Sequence, residues 1–248
     1  MNRIDILVFS PHPDDAELGC AGTILLSADR GLEVAIADLS DGEKASRGNP
    51  DKRNSEREQA ARLMGISERY RLGLPDTLIG TDHSHRLPVI ELIRAVRPRI
   101  VLAPYCQDKH PDHAAGGRLV KEAVFLAGVA TVGAGTVFRP ERLFYYMIHQ
   151  PFNPSFAIDI TSVWEKKKTV LDVYESQFTF NGEGEKTELC RPDFMSFIEA
   201  RARYFGAMIG AVYAEAFFSE GPVGLEELPG IGNRSGPVRN IPGYNLFV

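Results

Sequence analysis

Cysteine is scarce and dispersed in this chain: there are three, Cys20, Cys106 and Cys190, and no C-x-x-C. An odd, scattered set builds no disulfide framework, and a reducing cytoplasm is the expected compartment. Long apolar runs are missing too. None approaches the length of a membrane span, and MNRIDILVFSPHPDD holds too few apolar residues before its polar turn for a secretory signal. There is no excess of positive charge. The net charge is −5, which excludes the electrostatic footprint of a nucleic-acid binder. Several motifs are absent as well: G-x-G-x-x-G after the first strand, G-x-x-x-x-G-K-[ST], H-E-x-x-H and G-x-S-x-G. A dinucleotide fold, a P-loop, a helical zincin and a serine-hydrolase elbow therefore have no support.

What is present is ordinary globular composition, 44% hydrophobic and 25% charged over 248 residues, enough for one large core. Unalternating apolar runs at 4–9, 32–39 and 100–103 read as buried strands. Helical spacing follows them at 23–30, 53–64, 87–96 and 114–126, with Gly31, Gly65 and Pro98 as stops. Strands are also expected at 143–148 and 156–160, and helices at 163–174 and 194–208. Strand and helix in alternation predict an α/β fold, a Rossmann-like three-layer sandwich with a mostly parallel central sheet. A single domain is expected over 1–227. Residues 228–248, rich in glycine and proline, form an irregular tail.

In such sheets ligands bind beyond the carboxyl ends of the strands. There the chain carries His12-Pro13-Asp14-Asp15 and His110-Pro111-Asp112-His113, which hold three of its six histidines. Random placement gives only about 0.4 His-Pro pairs in a chain of this composition, so two pairs followed by Asp point to chemistry. His12, Asp15 and one of His110 or His113 form a two-His, one-carboxylate set suited to a catalytic zinc. Asp14 is then free to act as general base on an attacking water. The remaining histidine can protonate a leaving amine or stabilise an oxyanion, with Asp112 fixing its tautomer. HPDH read alone is also a capped helix start with Pro111 at its first position. Cys20 and Cys106 read as buried fillers, and His83, His85 and His149 as surface or structural residues.

These residues resemble the PIG-L/LmbE-like zinc N-deacetylases. The marks are PHPDDAELGCAG, the R-x-x-E element Arg53-Asn54-Ser55-Glu56, and HPDH at 110–113. The blocks GLPDTLI, VLAPYCQDKHPDHAAGGRLVKEAVFLAG, FYYMI, YESQF and VYAEAFF extend the resemblance over 4–222, toward the bacillithiol-biosynthesis branch. That resemblance implies zinc at His12, Asp15 and His113, with Fe²⁺ as the alternative ion. It implies Asp14 as base, His110 as charge-stabilising or proton-donating group, and Asp112 orienting His110. Arg53 and Asp76 would hold sugar hydroxyls. The implied reaction removes the acetyl group of N-acetylglucosaminyl malate. A chitobiose unit, a mycothiol-type conjugate or a glucosaminyl lipid is the alternative substrate. The malate version requires a cationic patch, to which Lys52, Arg53 and Lys109 are the candidates; the lipid version requires an apolar rim. The partner is thus a small amino sugar, with no nucleic acid or membrane, and the branch's hexamers imply a homo-oligomer. One departure is Phe194, where some relatives carry a mobile tyrosine; it reads as a core aromatic, with Tyr105 or Tyr204 as candidate substitutes. A non-catalytic module with structural zinc is the competing class, and it calls for four protein ligands, usually including Cys.

Overall fold

The computed structural model describes residues 4–224 apart from 67, 181, 183 and 184. The tail at 228–248, and with it the boundary at 227, lies outside the described residues. A seven-stranded sheet runs in the order β3-β2-β1-β4-β5-β7-β6. The strands β1 (Ile6–Ser10), β2 (Val34–Asp38), β3 (Glu68–Arg71), β4 (Ile100–Pro104) and β5 (Arg142–Tyr146) are parallel. β7 (Ala214–Phe218) is antiparallel to both β5 and β6 (Phe156–Asp159).

Alternate strand residues feed two cores. Ile6, Val8, Val34, Ile36 and Leu102 pack on one face with α1 (Asp15–Asp29), α5 (Trp164–Asp172) and α7 (Phe194–Met208). Leu7, Phe9, Ala35, Ala37, Val101 and Ala103 pack on the other with α3 (His83–Val96) and α4 (Pro111–Leu126). Strands apolar on both sides are what a parallel sheet covered by helices requires. This is the expected α/β sandwich.

The register explains why the two loops meet. β1 pairs directly with β4, Leu7 opposite Val101, so their carboxyl ends open side by side. Strand order also reverses at this pair, the switch point where α/β sheets form a crevice. α4 is drawn in close over that crevice: at Gly117 a Cβ would lie 2.5 Å from the Pro104 carbonyl oxygen, so only glycine fits.

The structure differs from the expected elements in several places. α1 begins at Asp15 rather than after Gly22. α2 (Pro50–Met64) starts at Pro50, with the Asn49 side chain accepting from Lys52 N–H, and α3 starts at His83 under an Asp82 cap. The helix expected at 163–174 divides into a 3-10 turn at Thr161–Val163, α5, and a short α6 (Glu175–Phe178). β3 and β7 were not foreseen. β3 is a charged edge strand, Glu-Arg-Tyr-Arg, which lacks the apolar signature of a strand. It is held by Arg69, whose guanidinium binds Asp38 through two 2.8 Å hydrogen bonds and Glu17 at 2.6 Å.

Candidate active site

The first loop is pinned from beneath by Ser10. Its Oγ donates to the His12 carbonyl (2.7 Å) and accepts from Ala16 N–H (3.0 Å). Asp14 is forced to φ 144°, ψ −22°, a conformation that typically costs a non-glycine residue about 1–3 kcal/mol. It stands at the N-cap of α1 yet its side chain makes no cap hydrogen bond. The buried carboxylate faces Arg53 instead, Nη2 to Oδ2 3.8 Å. Burial pushes the Asp14 carboxyl up to about 7, against the pull of Arg53 and with the push of Asp15. Asp15 follows at the first helical position. Its Oδ2 accepts from His12 N–H (3.0 Å) and lies 3.1 Å from His12 Nδ1 and 3.2 Å from His113 Nε2.

The two histidines of the second loop are held in different ways. His110 is the N-cap of α4, and its Nδ1 accepts from Asp112 N–H (3.2 Å). An Nδ1 that accepts a hydrogen bond leaves the proton on Nε2, so His110 is fixed as a donor. His113 has the opposite arrangement. Its Nδ1 lies 3.2 Å from Asp108 Oδ1 and its Nε2 3.2 Å from Asp15 Oδ2. Burial opposes its charge, yet these carboxylates hold its pKa up to about 9. With the Asp108 contact keeping a proton on Nδ1, Nε2 is the nitrogen that would turn to a metal once its own proton is displaced. Asp108 was not singled out in the sequence. It also accepts from the backbone N–H groups of His110, His149 and Gln150, tying the second loop to the segment after β5. Pro111 occupies the first helical position, so the capped-helix reading of HPDH holds alongside the chemical one.

Asp112 and Asp76 both turn toward His12, and Asp76 lines the cavity. The Asp112 carboxylate does not bind the His110 ring; the backbone N–H of Asp112 does. Its Oδ2 lies 3.2 Å from His12 Nε2 and accepts from Thr77 N–H (2.7 Å). Asp76, expected on a sugar hydroxyl, also faces His12 Nε2, at 3.1 Å, while its other oxygen accepts from Lys44 N–H (2.9 Å). Burial opposes ionisation of Asp76, yet the contact with His12 and the backbone donors hold it down to about 2. Two carboxylates on Nε2 keep a proton there, so Nδ1, 3.1 Å from Asp15 Oδ2, is the nitrogen that would turn to a metal shared with Asp15.

The ligating atoms of His12, Asp15 and His113 lie within 4.8 Å of one another. Tetrahedral ligands at ordinary zinc bond lengths stand roughly 3.4 Å apart, so the set fits a divalent metal. His12, His110 and Asp112 are equally close, but metal at His110 Nε2 would need the proton that the α4 cap places there to leave.

A cavity of about 310 Å³ opens over these groups, with Asp14, Lys44, Arg53, His110, His113 and His149 among its walls. Arg53 is buried. Its Nη2 donates to the Pro13 carbonyl (3.1 Å), and its Nε has no hydrogen-bond partner among the described residues. Gly42 lies under the guanidinium, where a Cβ would stand 2.9 Å from Cζ. His149, read as surface or structural, instead stacks on His113 with ring centroids 5.1 Å apart. Burial, then the charge of His113, pushes its pKa down to about 4. His83 is exposed and His85 accepts from Gly80 N–H, as structural residues do. Cys20 is buried. Phe194 is buried and stacked on Phe178, a core aromatic, while Tyr105 and Tyr204 line a different cleft. The candidate cations are engaged: Lys52 lies 3.7 Å from Glu175, and Lys109 donates to Glu188 at 2.7 Å.

The family described as PIG-L, GlcNAc-PI de-N-acetylase, matches residues 7–124, a span that holds both loops. Diacetylchitobiose deacetylase of Thermococcus kodakarensis is 30% identical, over 91% of this chain and 84% of that protein. The chain belongs to the PIG-L family. It is thereby a hydrolytic N-deacetylase, in a family whose deacetylases depend on a metal. A probable N-acetyl-alpha-D-glucosaminyl L-malate deacetylase 2 of Bacillus cereus is 30% identical, over 69% of this chain and 83% of that protein. Among solved structures, the conserved protein TT1542 from Thermus thermophilus is similar at 39% identity, with a TM-score of 0.83 over 91% of this chain and 98% of that one. No helix among the described residues is long and apolar enough to cross a membrane.

Proposed function

We propose that this PIG-L family member hydrolyses the acetamide of an N-acetylglucosaminyl conjugate with a divalent metal, Zn²⁺ or Fe²⁺, held by His12, Asp15 and His113. The observation that carries the reading is the opposed anchoring of Nδ1 in the two histidines of one loop. His113 is held through a donating Nδ1 on Asp108, which leaves Nε2 beside Asp15 for a metal, and His110 through an accepting Nδ1, which leaves a proton on Nε2 at the same cavity. When bound there, a divalent metal supplies Lewis acidity, polarising an amide carbonyl and acidifying water. Asp14, uncommitted to the cap, receives the proton of the attacking water at its carboxylate. The Nε2–H of His110 donates to the carbonyl oxygen as charge develops on it, or to the departing amine. Arg53, whose side chain lines the cavity beside Asp14, donates to a sugar oxygen from its guanidinium, a forked geometry that lysine does not reproduce.

The aglycone is read from the cavity mouth. The malate version wants free cations, but Lys52 and Lys109 are engaged, and Arg191 pairs with Asp193 at 2.7 Å. A neighbouring cleft that shares His149 is walled by Phe194 and Phe197 beside these paired charges. Lys44 at the cavity wall is a cation bonded to the Thr77 hydroxyl, but the paired charges and the aromatic wall of the neighbouring cleft favour a second sugar over a dicarboxylate, in keeping with the likeness to a diacetylchitobiose deacetylase. The test compares kcat/KM on diacetylchitobiose and on N-acetylglucosaminyl malate, with and without chelator. A higher value on diacetylchitobiose, lost on chelation and restored by Zn²⁺, is expected. A clear preference for the malate conjugate overturns the aglycone reading. Turnover of neither substrate by the metal-loaded protein overturns the substrate class.

A further inference from the structure

Helix α1 is broken, and groups from three other elements fill the break. Cys20 lies at φ −146°, ψ 20°, outside helical values. In an unbroken helix the Gly22 N–H would donate to the Leu18 carbonyl, four residues back. Both ends of that bond are taken here. Gly22 N–H donates to Glu215 Oε1 on β7 at 2.8 Å. The Leu18 carbonyl accepts from Lys167 Nζ on α5 at 3.0 Å and from Arg201 Nη2 on α7 at 3.1 Å. Glu215 Oε2 also accepts from the N–H and Oγ–H of Thr23, each at 2.7 Å. Lys167 and Glu215 are joined at 2.7 Å, with side chains 2% and 3% exposed.

A buried ion pair is a poor source of net stability, because desolvation of both charges offsets their attraction. Its location suggests another use. Each member satisfies one half of a single missing helical hydrogen bond, so the pair keeps that bond open. Without it, Gly22 N–H loses its acceptor and the Leu18 carbonyl keeps only Arg201, so the bend is held less firmly and α1 is freer to straighten. The turn that would swing is Asp15–Gly19, which begins with Asp15 and follows Asp14. Kinks of this kind arise where a side chain inserts into the helical ladder.

We propose that the Glu215–Lys167 pair is a positioning device for the metal site, setting the angle at which the first turn of α1 presents Asp14 and Asp15. The inference rests on Asp15 being a metal ligand. The test uses the full chain, with zinc affinity measured by competition against a chromophoric chelator, together with kcat, KM and melting temperature. Glu215→Leu and Lys167→Met each leave a buried charge unpaired and should lower the melting temperature. The double variant removes both charges and should recover most of that loss. It should still bind zinc about tenfold or more weakly and turn over about tenfold more slowly, with KM little changed, the size of effect seen when groups supporting a metal ligand are removed. Recovered stability with wild-type zinc affinity and kcat overturns the inference. Should the double variant fail to fold, Lys167→Arg keeps the charge but alters the reach, and a smaller loss of both quantities is expected; wild-type values there overturn it equally. Asp15→Ala separates the two layers. If it keeps zinc, the ligand assignment falls and takes the inference with it. If it loses zinc while the double variant does not, the inference alone falls.

Discussion

The two His-Pro-Asp loops share three letters and a place in the fold, yet their helix starts are built in opposite ways. At the second loop everything is relaxed: Pro111 takes the first helical position and the His110 ring caps the helix. At the first loop Asp14 occupies the corresponding cap position at φ 144° and caps nothing. The difference teaches how a helix start assigns chemistry. A ring drawn into a cap has its tautomer fixed and becomes a dependable donor. A carboxylate kept out of the cap by a strained backbone stays available for a proton. The strain at Asp14 is local, and the anchored first loop around it, from Ser10 to Ala16, holds it in place.

The contrast can be broken in graded ways. The largest effect is expected from Asp14→Asn, which keeps shape but removes the base: kcat should fall by about 10²–10⁴ with zinc content near wild type. Retained activity in metal-loaded protein would show that the uncapped carboxylate has no such role. His110→Asn is the matching change in the second loop. Asparagine caps as well as any residue, so the melting temperature should hold while kcat drops by about 10² for want of the Nε2 proton. A fall in stability without a fall in kcat would reverse the assignment. Asp108→Ala should weaken zinc binding by roughly 10–100-fold, because His113 Nδ1 loses its acceptor; competition with a chelator reads this directly. The smallest effect is one of stability. Asp14→Gly should raise the unfolding free energy by about 1 kcal/mol as the strained φ is relieved, while turnover is lost, and chemical denaturation checks it.

Much of this was legible in the residues. The apolar runs placed β1, β2 and β4, and alternation with helical spacing implied a parallel sheet that brings the loops to one edge. The structure gathers His12, Asp14, Asp15, Arg53, Asp76, His110 and His113 around one cavity. What escaped notice did so for physical reasons. β3 and β7 are short and carry buried charges, Arg69 and Glu215, whose partners lie far away in sequence. Asp108 looks like any loop aspartate until folding sets it against His113 and three backbone donors. Asp76 and Asp112 were each given a plausible partner, but which oxygen meets which nitrogen is decided by the packing of three loops. His149 has no motif around it and enters the cavity wall only because β5 ends beside β4.

The absent side chain at Gly117 carries a consequence of its own. Contact between that position and the Pro104 carbonyl works as a gauge: it sets how near the α4 backbone stands to the sheet, and so how far His113 must reach. Replacement by alanine would act as a shim, lifting the helix and widening the bite of the proposed ligand set. Were His113 a ligand, as proposed, metal preference would be tunable from a residue that never meets the ion. A ranking of Zn²⁺ against larger divalent ions in Gly117→Ala would show how tightly the gauge is set.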